Sequence, residues 1–157
     1  MTICQQWAWK PDDQMKSLKE CIQTLVRVVG GDGNFLFNVG PMPSGEIESR
    51  QVERLREMGA WLKQYGSSVY ATRGGPFKPG PYGASTRKGN TVFVHVFDWP
   101  DGPLELPAIA AKVVRASLLG GGKAVVQQTA EGIDVSVAEG GRQAIDTVVV
   151  LELDREA

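Results

Sequence analysis

Apolar residues recur at Met15, Leu18, Ile22, Leu25 and Val29, the three-to-four spacing of one helix face. That stretch predicts a helix, with Asp12 or Asp13 capping its start. Gly30 or Gly31 would end it in the left-handed conformation. A second stripe, Val52, Leu55, Met58 and Leu62, predicts a helix opened by Ser49 and stopped by Gly66. Each helix follows a short apolar run. "MTICQQW" predicts a strand, and "NFLFNVG" is apolar almost throughout, as a strand buried on both faces would be. The crossover in this strand–helix–strand–helix order makes the two strands parallel neighbours in a larger sheet.

The pattern changes near residue 73. A loop rich in glycine and proline, "RGGPFKPGPYGAS", ends the helical text, and short alternating segments follow. "STRKGNTVFVHVFDW" predicts a hairpin turning at Gly89-Asn90. "PLELP", "AKVVRASLL", "KAVVQQT", "GIDVSV" and "AIDTVVVLELD" are then separated by glycine-bearing turns or loops. Six or seven strands without helices predict an antiparallel β-sandwich over residues 73–157, behind a βαβα unit over residues 1–72. The fold class expected is α+β. The sandwich can bury its own core. The βαβα unit cannot, because two parallel strands leave both sheet edges open.

Composition narrows the function classes. The 157 residues are 42% hydrophobic, enough for one ordinary domain or two small ones. A net charge of −1 with both signs interspersed argues against nucleic acid, which needs a clustered basic surface. No run is long enough to span a bilayer, so no membrane partner is expected, and the N-terminus does not read as a signal peptide. Cys4 and Cys21 fit no zinc or thioredoxin spacing and read as buried thiols. With one histidine, His95, metal sites built on several histidines are excluded; no metal or other cofactor is expected.

The glycines of "GGDGNF" precede a strand, whereas a phosphate-cradling turn must follow a strand and open a helix. They read as a helix end. Glycoside hydrolysis needs two carboxyl groups about 5 to 10 Å apart. The acids here, Asp12, Asp13, Asp32, Glu46 and Glu48, are weak candidates, because several also stand where a helix start favours an acid. His95, in an alternating strand, reads as a strand residue rather than a base, and no nucleophile elbow is present. Trp7 and Trp9 are more informative. Both stand at the carboxyl end of the first expected strand, where parallel α/β sheets place ligands; an indole is a platform for a sugar's apolar face, and the alternative is that one of them fills the interface between the βαβα unit and the sandwich.

"MTICQQWAW", "GGDGNFLFNVGPMPSGEI", "REMGAWLKQYGSSVYATRGGPF" and "IDTVVVLELD" together resemble the C-terminal portion of an α-L-fucosidase of glycoside hydrolase family 29. The resemblance runs along essentially the whole chain. It implies that residues 1–72 are the truncated C-terminal end of a (β/α)₈-type catalytic barrel, with residues 73–157 the C-terminal β-sandwich. It also implies that the aspartate nucleophile and the carboxylate acid/base lie upstream, so that no residue here inherits those roles. Met1 coincides with an internal methionine of the family, which leaves a truncated reading frame, a separately encoded fragment or a cloning product as the readings, an N-terminally truncated form of a secreted or periplasmic enzyme among them. Trp7 matches an aromatic position bordering the family's sugar pocket; Trp9 and Asn38 lie near that rim. The implied partner is a fucosylated glycan. A homo-oligomer through residues 1–72, or complementation by the missing barrel portion, is expected to cover the open layer. The alternatives are a stand-alone oligomeric hydrolase with a newly formed site, and a non-catalytic carbohydrate-binding module.

Overall fold

A computed structural model describes all residues, 1–157. Helix α1 spans Leu18–Gly30 and α2 spans Ser49–Tyr65, the latter running into a single 3-10 turn at Gly66–Ser68. Neither helix is long and apolar enough to cross a membrane. The cap of α1 is Ser17, not Asp12 or Asp13. Its hydroxyl accepts from the Glu20 amide while the Glu20 carboxylate accepts from the Ser17 amide, a reciprocal box that satisfies two otherwise unpaired donors. The two aspartates are too far back along the chain to serve, and Met15, counted into the helix by its spacing, instead bridges Cys4.

The far end also differs from expectation. Gly31 has φ −81°, and the left-handed residue is Asp32 at φ 64°. Asp32 tolerates it because its carboxylate accepts from the Gly74 amide (2.9 Å) and from Arg73 Nε (2.8 Å).

Neither expected strand of residues 1–72 forms as a strand. What remains is one parallel bridge, Thr2 to Asn38, with the Ile3 amide donating to Asn38 O (3.0 Å) and the Asn38 amide to Met1 O (2.9 Å). The two segments are parallel neighbours, as their crossover requires, but no further strand flanks them to extend the ladder. Nor is "NFLFNVG" buried on both faces: Leu36 is 81% exposed. On α2 the period is as expected and the phase is not. Gln51, Met58, Trp61 and Tyr65 are buried, while Val52 and Leu62 are half-buried and Leu55 is exposed. Two aromatic side chains remove more surface from water than Val52 and Leu55 could, and they set the rotation.

Beyond residue 73 every segment expected as a strand appears. The strands are β1 (Arg73–Gly74), β2 (Gly83–Lys88), β3 (Thr91–Val96), β4 (Leu104–Pro107), β5 (Val113–Leu118), β6 (Val125–Gln128), β7 (Gly132–Ser136) and β8 (Thr147–Leu153). They form two antiparallel sheets, ordered β1-β2-β3-β8-β5 and β4-β7-β6. Gly89 takes the β2–β3 turn at φ 56°. Val92, Val94 and Val96 alternate with Phe93, His95 and Phe97, so β3 presents two apolar faces. The valines join Phe77, Ile133, Val135, Leu151 and others between the sheets. The phenylalanines join Cys21, Ile22, Val26, Met58 and Trp61 beneath the helices. Both cysteines are buried and unpaired. The fit under α1 is close: a Cβ added at Gly30 would come within 2.6 Å of the Ala84 Cβ on β2.

Candidate functional site

The loop from Gln5 to Gln14 follows the first of the two bridged segments and carries both tryptophans expected near a ligand. Trp7 is 78% exposed, the most open large aromatic of the chain, and Trp9 is half-buried. Asn38, on the neighbouring segment, donates from Nδ2 to Trp7 O (2.7 Å) and to Thr2 Oγ1 (3.1 Å). The Trp9 indole N–H donates to Glu48 Oε2 (3.1 Å), at the start of α2. The structure thus brings Trp7, Trp9, Asn38 and Glu48 together from three separate stretches of chain.

The acids are placed as follows. Asp13 is buried, and its carboxylate accepts from the Gln6 amide (2.8 Å) and the Gln14 amide (2.9 Å), closing the loop on itself. Glu48 pairs with Arg50, whose Nη1 also donates to Asp13 O (3.4 Å). The hydrogen bond from Arg50, helped by that from Trp9, holds the Glu48 carboxyl below its ordinary range and ionised. Asp32 lies away from this loop, at the end of α1. There the Arg73 guanidinium and the Gly74 amide hold its carboxyl far below the usual carboxylate range. Asp12 is exposed, with φ 56°, and Glu46 is exposed in the turn before α2. No three His, Cys, Asp or Glu side chains are grouped to hold a metal ion.

His95 is a packed strand residue. Its Nδ1 lies 2.6 Å from Asp146 Oδ2, both side chains are fully buried, and Nε2 and Asp146 Oδ1 have no hydrogen-bond partner. Nothing in the sequence spacing marks that pair, which joins positions 51 residues apart. The Ser17–Glu20 box, by contrast, was written in the sequence as S-L-K-E.

The arrangement can present an aromatic face to a ligand beside a set of carboxylates already engaged in hydrogen bonds and ion pairs. Solved α-L-fucosidases share the fold of this chain. The α-L-fucosidase of Paenibacillus thiaminolyticus (isoenzyme 1) superposes with a TM-score of 0.87 at 29% identity, over 98% of this chain and 39% of that one. The family 29 α-L-fucosidase of Bacteroides thetaiotaomicron gives 0.87 at 28% identity, over 99% and 37%.

The chain belongs to the α-L-fucosidase family. The α-L-fucosidase family model matches residues 1–67. Human plasma α-L-fucosidase is 33% identical over 115 residues, 68% of this chain and 25% of that protein. The Dictyostelium discoideum α-L-fucosidase is 37% identical over 132 residues, 75% and 28%. The chain therefore spans about a quarter of the length of these relatives.

Proposed function

We propose that this chain is the closing part of an α-L-fucosidase, with residues 1–72 the last repeats of the catalytic barrel and residues 73–157 its C-terminal sandwich. Its contribution to sugar handling is Trp7, while the nucleophile and the acid/base belong to the part of the enzyme outside this chain. The observation that carries this is the pairing of an exposed Trp7 with carboxylates that are already committed. Asp13 is held by two amides, Glu48 by Arg50 and Trp9, and Asp32 by Arg73 and Gly74. An acid that donates a proton to a glycosidic oxygen needs a raised pKa, and Glu48 and Asp32 are pushed the other way. Asp12 and Glu46 are exposed.

The pure chain is expected not to turn over an aryl α-L-fucoside. Turnover near that of an ordinary glycosidase, persisting through further purification, would overturn the proposal and revive the stand-alone hydrolase. Alanine replacements at the five acids would then locate its site. When the chain is assembled with a complete barrel, Trp7→Ala should weaken fucoside binding by about 1 to 3 kcal/mol and leave the melting temperature nearly unchanged. The reverse outcome would make Trp7 a packing residue.

The proposal extends to assembly. Trp7, Leu36, Leu55 and Tyr70 are exposed within residues 1–72, an apolar surface that the absent barrel repeats or a second copy of this chain would cover. In isolation a closed homo-oligomer through residues 1–72 is expected from light scattering. A well-behaved monomer at micromolar concentration would leave complementation as the remaining way to cover it.

A further inference from the structure

We propose that Asn38 and Glu48 are positioning residues that lock the loop Gln5–Gln14 so that the indole of Trp7 projects in one orientation; the value of that orientation rests on the sugar-platform reading of Trp7 above. An indole that is 78% exposed has almost no packing to orient it. Its orientation must come from the backbone that carries it, and that backbone is tied on every side. Asn38 Nδ2 donates to the carbonyl of Trp7 itself (2.7 Å), and the Asn38 side chain is in turn fixed by Thr2 Oγ1 (3.1 Å). One residue further, the Ala8–Trp9 peptide lies directly on Gly40. A Cβ there would meet Trp9 N at 2.5 Å and the Ala8 carbonyl carbon at 2.9 Å, so the approach tolerates only glycine. Then the Trp9 ring is turned inward, half-buried, by its N–H···Oε2 bond to Glu48 (3.1 Å).

Asp13 closes the loop through the Gln6 and Gln14 amides, and Arg50 joins Glu48 to the Asp13 carbonyl. Each of these ties removes backbone freedom that a ligand would otherwise have to freeze out on ordering the loop. Glu48 therefore acts through Trp9 and the loop, not on a reacting atom. Its two carboxylate oxygens serve different partners, Oε2 accepting from the Trp9 indole and Oε1 from the Arg50 guanidinium.

The whole chain, labelled with 5-fluorotryptophan, tests this by fluorine NMR, with Trp7, Trp9, Trp61 and Trp99 assigned by single replacement. Asn38→Asp keeps the shape but removes the donor to Trp7 O, and Glu48→Ala removes the acceptor for Trp9. Each is expected to slow transverse relaxation of the Trp7 line about twofold and move it toward free fluorotryptophan, with Trp61 and Trp99 unchanged. Glu48→Gln, which keeps an acceptor for the indole, should restore most of the Trp7 behaviour. Unchanged Trp7 relaxation in both Asn38→Asp and Glu48→Ala overturns the proposal. So does a change spreading to Trp61 and Trp99, which would make these residues general supports of the layer. Titration with methyl α-L-fucoside separates the two readings. If it moves no tryptophan line of the chain assembled with a complete barrel, the sugar platform fails, while the locking of the loop stands or falls on relaxation alone.

Discussion

On one face of the five-stranded sheet, β4, β7 and β6 enclose a core that includes Phe77, Val94, Ile133, Val135 and Leu151. On the other face, α1 and α2 bury one stripe each against Phe93, Phe97 and Val148 and leave much of their layer open. Trp7, Leu36, Leu55 and Tyr70 are exposed before residue 73, and beyond it only Val114 and Val125 among the large hydrophobics. The difference lies in what each side was given to pack against. The sandwich carries both halves of its own core. The helical layer takes one half from the sheet and leaves its other face open, the face that the proposed barrel repeats would cover. A layer of that kind is held in place by a neighbour while lacking the enclosure that would make it a site.

Four changes would break or sharpen the contrast. Phe77→Ala, in the enclosed core, should destabilise the protein by about 3 to 5 kcal/mol in a urea titration. A loss below about 1 kcal/mol would mean that the sandwich is no better packed than the helical layer.

Gly30→Val would drive a side chain into Ala84 and should cost about 1 to 3 kcal/mol. Hydrogen exchange should quicken in α1 and α2 while β3 and β8 stay protected. Equal quickening in all four elements would show that the two faces of the sheet unfold as one body.

Replacing Leu36 and Leu55 by serine should change stability by no more than about 1 kcal/mol, since Leu36 is mostly in water and Leu55 is already partly exposed. The same pair of changes should reduce self-association seen by light scattering. Unaltered association would place the contact on the sandwich instead.

The smallest effect is electrostatic. Asp32 is held ionised by Arg73 and Gly74, so its folded-state pKa lies below the unfolded one. Its stabilisation is complete above the ordinary aspartate pKa of about 3.9 and is lost as the solution is acidified below that value. Asp32→Asn should therefore flatten the stability profile only at the acid end. Persistence of the full acid dependence would assign it to other carboxylates.

The sandwich was legible because short runs divided by turn residues are a local signal, even where apolar and polar residues do not alternate, as in β2 and β6. The helices were legible in period and misplaced in detail. Met15 fits the apolar stripe of α1 yet pairs with Cys4, and the rotation of α2 follows Trp61 and Tyr65 rather than Val52 and Leu55. Trp7 could be picked out by its place just after the first apolar run. What ties it down could not, because Glu48 reaches Trp9 across 39 positions and Asn38 reaches Trp7 across 31. Such meetings depend on how loops fold back, which no short window of sequence contains.

The His95–Asp146 pair has a consequence for how the chain finds its alignment. A strand with one apolar face is pinned in register because a slip by one residue would turn its apolar side to water. β3 lacks that safeguard, since Val92, Val94 and Val96 serve one core and Phe93 and Phe97 the other. Any slip of β3 against β8, however, would pull the imidazole away from Asp146 and leave two buried polar groups without each other. The pair works as a key that only one alignment of the central strands can turn. A chain carrying valine at both positions should keep its fold but refold through additional, misaligned species, which stopped-flow fluorescence would resolve as extra phases.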